Sequence, residues 1–352
     1  MHLLITVAKN ISVDRFVLRV PKSLNHEGGT LIPNFVVWVV TGRCMLNCLH
    51  CYASMYRKER ELSTSEILRI LNDLANHGVP HVHFTGGDPV LRPDIVEILM
   101  YARDLGLEVS VFTSCIHIPR EFLRTIQKLE IAVYTSCDGY SKETFELIRG
   151  SRTWDRFLSN YAILREYVPY IHVNATVCEL NWSYIHRVIE FVALRLEPSS
   201  LSVIPAMKCG NAASNRIAVN REHYVDALRK VDEKARELGI EVVAWCTPFV
   251  PALKLSNVKG CRCRGSFVLD VTPSGNTVLC DIIGIPFANI LEGLDTVVKK
   301  LLAHPMYREI TSIPRKCLSC PYVELCGGGC FARAYIEYGR ADEIDPLCPR
   351  VA

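Results

Sequence analysis

The sequence predicts an α/β fold: a partial (β/α)6 barrel followed by a cysteine-rich C-terminal domain. Short β-branched runs alternate with longer amphipathic runs from residue 35 to about 206, a pattern typical of parallel β/α units. Six such units are too few to close an eight-stranded barrel, so we expect an open one. Eight of the 16 cysteines fall between Cys261 and Cys348. We therefore expect sulfur chemistry in this last part of the chain.

Each barrel unit is predicted to contain one strand and one helix. Ser63 and Glu66 have the spacing of a capping box at the start of the first helix, which should stop at Gly78. The predicted strands cover residues 35–41, 80–85, 108–113, 130–136, 171–177 and 199–205. Later helices are predicted at about 93–106, 119–128, 142–149, 153–166, 183–195 and 221–238.

The composition changes after the last predicted helix. The strand-like run IEVVAW leads into a stretch where Gly, Pro and Cys interrupt every periodic pattern, so we place the domain boundary between about 240 and 260. The predicted division is a strand-like extension over 1–34, a barrel over 35–245 and a cysteine-rich domain over 246–352.

Charge and hydropathy exclude several classes of protein. Forty Lys plus Arg against 37 Asp plus Glu leave a net charge of +3, too near balance to attract nucleic acid or an anionic membrane. The sequence shows no apolar run of about 20 residues and no secretory signal, so we expect a cytoplasmic protein without a membrane span. Cysteines in that compartment are more often metal ligands or catalytic groups than disulfides.

A first cysteine cluster follows the first predicted strand. Cys44, Cys48 and Cys51 stand in a CxxxCxxC spacing within TGRCMLNCLHCYAS, on a loop at the carboxyl end of a parallel strand. Three thiolates can bind three irons of a cubane cluster and leave the fourth iron open for chemistry. A structural zinc site is the alternative, although such sites usually have four protein ligands.

On these residues the chain resembles the radical S-adenosylmethionine superfamily, to which His50 and Tyr52 around the third cysteine are also suited. After the second strand, FTGGDPVLRPD matches the family's GGEP motif with Asp in place of Glu. The resemblance implies that S-adenosylmethionine contacts lie at Tyr52, Gly86, Gly87, Asp88, Pro89, Ser114, Ser136, Asp138 and Arg149. The alternative for Asp138 and Arg149 is an ordinary turn and a solvated side chain.

The C-terminal cysteines resemble the SPASM extension of this superfamily. SPASM domains usually hold two auxiliary 4Fe-4S clusters with crossed ligands, which with the first makes three clusters. Carried over by position, one cluster takes Cys261, Cys263, Cys280 and Cys330, and the other takes Cys317, Cys320, Cys326 and Cys348. Because Cys261 and Cys263 are unusually close, Cys246 is an alternative ligand. A zinc ribbon is the other alternative, but it does not explain Cys280 and Cys348.

The resemblance implies an oxidoreductase that cleaves S-adenosylmethionine to a 5'-deoxyadenosyl radical and then oxidises a substrate side chain. Asp281, beside Cys280, is the candidate base, with a surface carboxylate as the alternative. We expect a ferredoxin or flavodoxin-like electron donor and a small-molecule, tetrapyrrole or peptide substrate. The ending CGGGCFARAYIEYGRADEIDPLC resembles a subgroup that includes heme and heme d1 biosynthesis enzymes as well as peptide maturases. Many of the maturases carry an N-terminal peptide-recognition domain, for which about 35 residues before the barrel leave no room, so the resemblance favours heme or heme d1 type biosynthesis over peptide or protein maturation. A non-catalytic iron-sulfur carrier is the remaining alternative.

Overall fold

One sheet of eleven strands organises the described residues, which are 31–262, 264 and 266–351 of the computed structural model. The predicted extension over residues 1–34 lies almost wholly outside them. The strands run in the order β11-β10-β9-β1-β2-β3-β4-β5-β6-β7-β8. They are β1 Phe35–Thr41, β2 His81–Gly86, β3 Glu108–Phe112, β4 Ala132–Ser136, β5 Ile171–Val177, β6 Ser200–Pro205, β7 Val242–Ala244, β8 Val258–Gly260, β9 Val268–Val271, β10 Asn276–Val278 and β11 Pro286–Asn289.

Strands β1 to β6 form the predicted partial barrel. They are parallel and adjacent in chain order, each joined to the next through a helical connection. Strands β7 and β8 extend the sheet beyond β6, also in parallel. The described strands end at β8 on one side and β11 on the other, so the sheet is open, as predicted.

The cysteine-rich tail adds its strands to the opposite edge of the same sheet. Strand β9 pairs in parallel with β1, from Phe35 beside Val268 to Trp38 beside Val271. Strands β10 and β11 then continue the sheet antiparallel to their neighbours. The tail therefore lies next to the strand that precedes the first cysteine cluster.

Twelve helices accompany the sheet in the described residues, and none is long and apolar enough to cross a membrane. They are α1 Thr64–Asn76, α2 Ile95–Asp104, α3 Arg120–Lys128, α4 Lys142–Arg149, α5 Trp154–Tyr167, α6 Ile185–Phe191, α7 Gly210–Ser214, α8 Arg221–Leu238, α9 Leu294–Ala303, α10 Tyr307–Thr311, α11 Val323–Cys326 and α12 Phe331–Tyr338. Short 3-10 turns cover Ala53–Tyr56, Pro89–Leu91, Trp182–Tyr184, Val250–Leu253, Ile290–Glu292 and Arg315–Cys317, and a π turn covers Val192–Leu196.

Local sequence explains the helix ends. The capping box of α1 is confirmed, since the Ser63 hydroxyl accepts from the Glu66 N–H and the Glu66 carboxylate accepts from the Ser63 N–H. The predicted helix over 183–195 is instead a 3-10 turn, α6 and a π turn. It ends at Glu197, which is left-handed with φ +47°, and Pro198 cannot donate a further helical hydrogen bond.

The two faces of the barrel strands differ in chemistry, because successive side chains point to opposite sides. The outer face is apolar and buried, as Val82, Phe84, Val111 and Val173 show. The inner face borders a cavity of about 490 Å³. Its wall on strands β2 to β5 carries mainly polar side chains: His81, His83, Thr85, Ser110, Tyr134, Ser136, Asn174 and Thr176.

Candidate active site

The first cysteine loop, residues 44–51, lies at the carboxyl end of β1, and all three of its cysteines border the cavity. Cys48 is buried, while Cys44 and Cys51 are half-buried. Burial raises the pKa of Cys48 to about 12, although Arg149 opposes the shift, and burial also raises the pKa of Cys44. Cys44 and Cys48 therefore stay protonated at neutral pH unless a bound cation displaces the protons, as iron of a cluster does.

Helix α7 and its C-cap residue donate hydrogen bonds to three main-chain carbonyl groups of this loop. The Asn211 N–H donates to Cys51 O at 2.9 Å, and the Asn211 side-chain amide donates to Cys48 O at 2.9 Å. The Asn215 amide donates to Leu49 O at 2.9 Å. Asn211 and Asn215, which the sequence did not single out, thus fix the backbone that presents the cysteines.

The glycines of the GGDP motif lie where β2 ends beside this loop. Gly86 has φ +147°, and a Cβ atom there would lie 2.3 Å from Thr41 O. A Cβ atom on Gly87 would lie 2.2 Å from Arg43 O, and the Gly87 N–H donates to Thr41 O. The two glycines therefore let β2 approach the start of the cysteine loop, and both also border the cavity.

Asp88 points away from the cavity and organises the next loop. Its carboxylate is buried and accepts hydrogen bonds from the hydroxyl groups of Thr113 and Ser114 and from the N–H groups of Ser114 and Val90. Burial raises the pKa of Asp88, although these hydrogen bonds oppose the shift. Asp88 thus supports Ser114, which does border the cavity.

Asp138 and Arg149 form a buried ion pair at 2.6 Å. Asp138 also contacts His50 Nε2 at 2.8 Å and accepts from the Thr176 N–H at 2.7 Å. Burial opposes ionisation of Asp138, but the charges of Arg149 and His50 hold its pKa well below the ordinary value. Asp138 therefore orients Arg149, and Arg149 reaches the cavity.

The structure thus divides the nine predicted S-adenosylmethionine contacts into two sets. Those that border the cavity are Tyr52, Gly86, Gly87, Ser114, Ser136 and Arg149. Asp88, Pro89 and Asp138 do not border it, but Asp88 hydrogen-bonds with Ser114 and Asp138 pairs with Arg149.

Asp281 lies in the cavity wall between the two cysteine-rich regions. Its carboxyl group hydrogen-bonds with the hydroxyl of Tyr52, the residue that follows the third cysteine, and its N–H donates to Asp270 Oδ2 at 3.0 Å. Burial raises the pKa of Asp281, and burial together with the nearby charge of Asp281 raises the pKa of Asp270. Asp270 on β9 was missed from the sequence, where an acid inside the apolar run VLDV was the available signal.

The first tail group consists of Cys246, Cys261, Cys280 and Cys330. The Cys246 N–H donates to Cys261 Sγ at 3.1 Å. Burial and then the charges of Cys261 and Cys330 raise the pKa of Cys246, and Cys330 also contributes to the raised pKa of Cys280. Cys246, which the sequence suggests as an alternative ligand, therefore lies in this group. Cys263 lies outside the described residues.

The second tail group consists of Cys317, Cys320, Cys326 and Cys348. Burial and then Cys326 and Cys320 raise the pKa of Cys317. Burial raises the pKa of Cys348 to about 11, with a further contribution from Cys326 and Cys317. No disulfide joins the cysteines of the described residues. Two groups of four sulfur atoms suit two 4Fe-4S clusters, as the resemblance implies.

A buried ion pair connects the two tail groups. Arg333 and Asp345 approach to 2.6 Å, and Asp345 accepts from the Cys330 N–H while its own carbonyl accepts from the Cys348 N–H. Arg333 also donates to Cys246 O at 2.6 Å. This pair therefore fixes the backbone at one cysteine of the second group and at two of the first.

Comparison with known proteins identifies the fold and the chemistry. A model of the radical SAM superfamily matches residues 38–192. The PqqA peptide cyclase of Rhizobium meliloti is 30% identical over 335 residues, which cover 91% of this chain and 88% of the relative. The chain belongs to the radical SAM superfamily. The AdoMet-dependent heme synthase of Methanosarcina barkeri is 27% identical over 91% of this chain and 97% of its own.

Solved structures share the fold. SuiB of Streptococcus suis, bound to its precursor peptide SuiA, superposes with a TM-score of 0.70 at 17% identity, over 90% of this chain and 76% of SuiB. The enzyme anSMEcpe with bound AdoMet and the Cp18Cys peptide superposes with a TM-score of 0.69 at 17% identity, over 89% of this chain and 93% of its own.

Membership confirms the predicted enzyme class and the α/β fold with a parallel sheet, and it implies S-adenosylmethionine and a 4Fe-4S cluster as cofactors. The donor atoms fit this cluster, since three sulfur atoms on one loop border the cavity and no fourth cysteine belongs to that loop.

Proposed function

We propose that this radical SAM enzyme oxidatively modifies a side chain of a peptide or protein. The observation that carries the proposal is the charge of the cavity wall. In the described residues it contains two carboxyl groups, Asp270 and Asp281, but only three arginines and no lysine. Such a wall is suited to a substrate that is largely neutral around its reacting group.

One of the three arginines is paired with a carboxylate, and the other two donate to neutral oxygen atoms of the protein. Arg149 pairs with Asp138, and Arg57 donates to Asn47 and to Leu46 O. Arg262 donates to the carbonyl groups of Arg264 and Glu324. A tetrapyrrole of the heme type carries several carboxylates, and burying each of them requires a cation or a set of free donors. In the described residues of the wall, only Arg57 and Arg262 lack a carboxylate partner, which is fewer cations than the carboxylates of such a tetrapyrrole. The cavity therefore favours a peptide over the tetrapyrrole that the sequence suggested.

The relatives support the same choice. PqqA peptide cyclases reach 30% identity, and the heme synthase reaches 27%. The peptide alternative is therefore better supported than the tetrapyrrole.

The residues of the cavity have separable roles in this proposal. When bound, the 4Fe-4S cluster and S-adenosylmethionine supply a 5'-deoxyadenosyl radical that takes one hydrogen atom from a substrate. Arg149, Ser136 and the glycines of the GGDP motif would position S-adenosylmethionine. Asp281 would accept the proton that the substrate loses on oxidation, and a cluster held by the tail cysteines would take up the accompanying electron.

The two tail groups would hold the auxiliary clusters, for a total of three. We propose Cys246 as the fourth ligand of the first group, because its main chain contacts Cys261 Sγ directly. Zinc in place of iron is the competing assignment. Reconstituted protein with about twelve irons and twelve sulfides per chain supports three 4Fe-4S clusters, and about eight or fewer contradicts them.

The substrate class can be tested with anaerobically reconstituted protein, dithionite and S-adenosylmethionine. Candidate precursor peptides encoded near the gene and iron-coproporphyrin are offered separately, and products are identified by mass spectrometry. We expect 5'-deoxyadenosine together with a peptide that has lost two hydrogen atoms. An oxidised tetrapyrrole with unchanged peptides would overturn the peptide proposal. The absence of 5'-deoxyadenosine above a Cys44→Ala control would favour the non-catalytic carrier.

The role of Asp281 is tested by Asp281→Asn, which keeps the size of the side chain but removes its basicity. We expect formation of the oxidised product to fall about 10²- to 10⁴-fold, while 5'-deoxyadenosine still forms. A matched control is Asp295→Asn on α9, outside the cavity wall. Equal product from Asp281→Asn and the unmodified enzyme would remove Asp281 from the mechanism.

A further inference from the structure

The inner face of β2 and β3 carries a group of polar side chains that the mechanism above does not use. His81 and His83 both project from β2 toward Ser110 on β3, at the wall of the cavity. Gly86 ends β2, so His83 lies about 10 Å deeper in the barrel than this part of the S-adenosylmethionine motif, at about 3.3 Å per residue. The group is therefore at the floor of the cavity rather than at its reacting end.

One hydroxyl group links the two imidazoles. Ser110 Oγ lies 2.8 Å from His81 Nε2 and 2.7 Å from His83 Nδ1. Because a hydroxyl has one proton, it donates to one ring and accepts from the other. His83 Nε2 makes no hydrogen bond to any described residue, and the half-buried His83 borders the cavity. This nitrogen is available to a ligand that can donate or accept.

Aromatic rings stand beside this nitrogen. Tyr134 meets His83 edge to face, with ring centroids 5.0 Å apart and an interplanar angle of 79°. Trp245 lies 6.0 Å from Tyr134 and stacks on His172 at 4.7 Å. Tyr134 and Trp245 both border the cavity. A flat ring entering here would meet the cavity-facing surfaces of Tyr134 and Trp245.

The described residues of the floor carry no positive charge at neutral pH. Burial lowers the pKa of His83 to about 3, with a smaller contribution from His81 and His172, and burial lowers the pKa of His81 to about 4. Both imidazoles are therefore neutral. A carboxylate placed here would lose its hydration without gaining a cation as a partner, which is unfavourable. A neutral hydroxyl group would not incur this desolvation cost.

We propose that His83, Ser110, Tyr134 and Trp245 form a subsite for a phenol, which in a peptide substrate is a tyrosine side chain. The rings would pack against the phenol ring, and its hydroxyl would bond to His83 Nε2. A phenyl group would leave that nitrogen unpaired, and a carboxamide would leave the aromatic wall without a partner. Because the subsite lies below the reacting end, this tyrosine anchors the peptide and presents a neighbouring residue for oxidation. The inference rests on the proposed peptide substrate.

The test uses N-acetyl-L-tyrosinamide as the probe, with reconstituted holoenzyme and S-adenosylmethionine in equilibrium dialysis. We expect it to bind about tenfold more tightly than N-acetyl-L-phenylalaninamide, because only the phenol bonds to His83, and N-acetyl-L-glutamate should bind more weakly still. His83→Phe should abolish the preference for the phenol. His117→Phe, an exposed histidine outside the cavity wall, should keep it.

Two further measurements keep the result unambiguous. Circular dichroism and iron content show whether His83→Phe is folded, and Ser110→Ala, which releases both imidazoles, should also weaken the preference. Equal binding of the tyrosine and phenylalanine amides to the unmodified enzyme would overturn the subsite, as would an unchanged preference in folded His83→Phe. If the enzyme modifies a peptide but does not bind N-acetyl-L-tyrosinamide, the subsite is wrong and the proposed function stands. If the enzyme oxidises the tetrapyrrole instead, the proposed function itself is wrong.

Discussion

The first cysteine loop and the two tail groups present sulfur atoms in different ways. Cys44, Cys48 and Cys51 come from one loop of eight residues, fixed from outside by Asn211 and Asn215. The tail groups collect their sulfur atoms from segments as far apart as Cys246 and Cys330, and the buried pair of Arg333 and Asp345 fixes them from within. The local loop offers three ligands, and each tail group offers four.

In the proposed function, this difference separates cleavage of S-adenosylmethionine from electron transfer. A cluster with three protein ligands leaves one iron for S-adenosylmethionine, whereas four ligands saturate a cluster. The loop should therefore decide whether the cofactor is cleaved, and the tail should decide whether oxidation of the substrate is completed. Substitutions in the two regions can be compared on that basis.

The largest expected effect comes from Cys48→Ala. Removing one of three ligands should abolish formation of 5'-deoxyadenosine, while the iron of the tail remains. Cys326→Ala in the second tail group should leave cleavage of S-adenosylmethionine measurable and stop product formation. Chromatography of the nucleoside and iron analysis of both variants make the comparison. Loss of cleavage in Cys326→Ala with the loop cluster intact would remove the proposed separation.

Cys246→Ala should remove one of the three proposed clusters. We expect about four of about twelve irons to be lost, because the first tail group would keep only three described ligands. Cys178→Ala is the matched control, since Cys178 is fully buried at a bridge to Ala218 and does not border the cavity. Full iron content in Cys246→Ala, with loss in Cys263→Ala, would assign the fourth position to Cys263.

Asp345→Asn tests the buried pair between the tail groups. Leaving Arg333 buried without its carboxylate should destabilise the folded protein by about 3 to 5 kcal/mol. The free energy of unfolding is measured in urea by circular dichroism on the holoenzyme. Asp342→Asn removes an exposed pair with Arg340 and should leave stability unchanged. Similar values for the two variants would mean that the buried pair does not fix the tail.

The smallest expected effect is that of Asn211→Ala on the first loop. The Cys48 carbonyl would lose its amide donor, at a cost of about 1 to 3 kcal/mol, and the loop cluster should be lost faster in air. Loss is followed by the decay of cluster absorbance. Asn72→Ala, which removes an exposed hydrogen bond to Tyr101, is the control. Equal decay in both variants would show that α7 does not support the loop.

The sequence predicted those parts of the site that are close together along the chain. The spacing of Cys44, Cys48 and Cys51 within one loop is a local pattern, and so is the six-strand alternation that locates the barrel. The contacts of Asn211 with Cys48 O and of Asp270 with Asp281 join separate elements. They depend on strand order and register, which no local spacing specifies.

The sequence also carries a signal for the polar inner face of the barrel, which the predictions did not include. HVHFT on β2 and IHVNATV on β5 alternate polar and apolar residues, which indicates one buried apolar face and one polar face. The glycines of the GGDP motif show what the sequence pattern could not reveal. Their closeness to a ligand was expected, but their tight approach to the main chain at Thr41 and Arg43 required coordinates.

The pairing of β9 with β1 affects how the chain is made. Strand β1 ends at Thr41, but the strand that covers its second edge begins only at Val268. During synthesis, the nascent barrel therefore leaves the ribosome with an unpaired edge beside its cysteine loop. Open edges recruit other strands, and such distant pairing slows folding. The tail thus covers the exposed edge of β1 once it has been synthesised, independently of any role in catalysis.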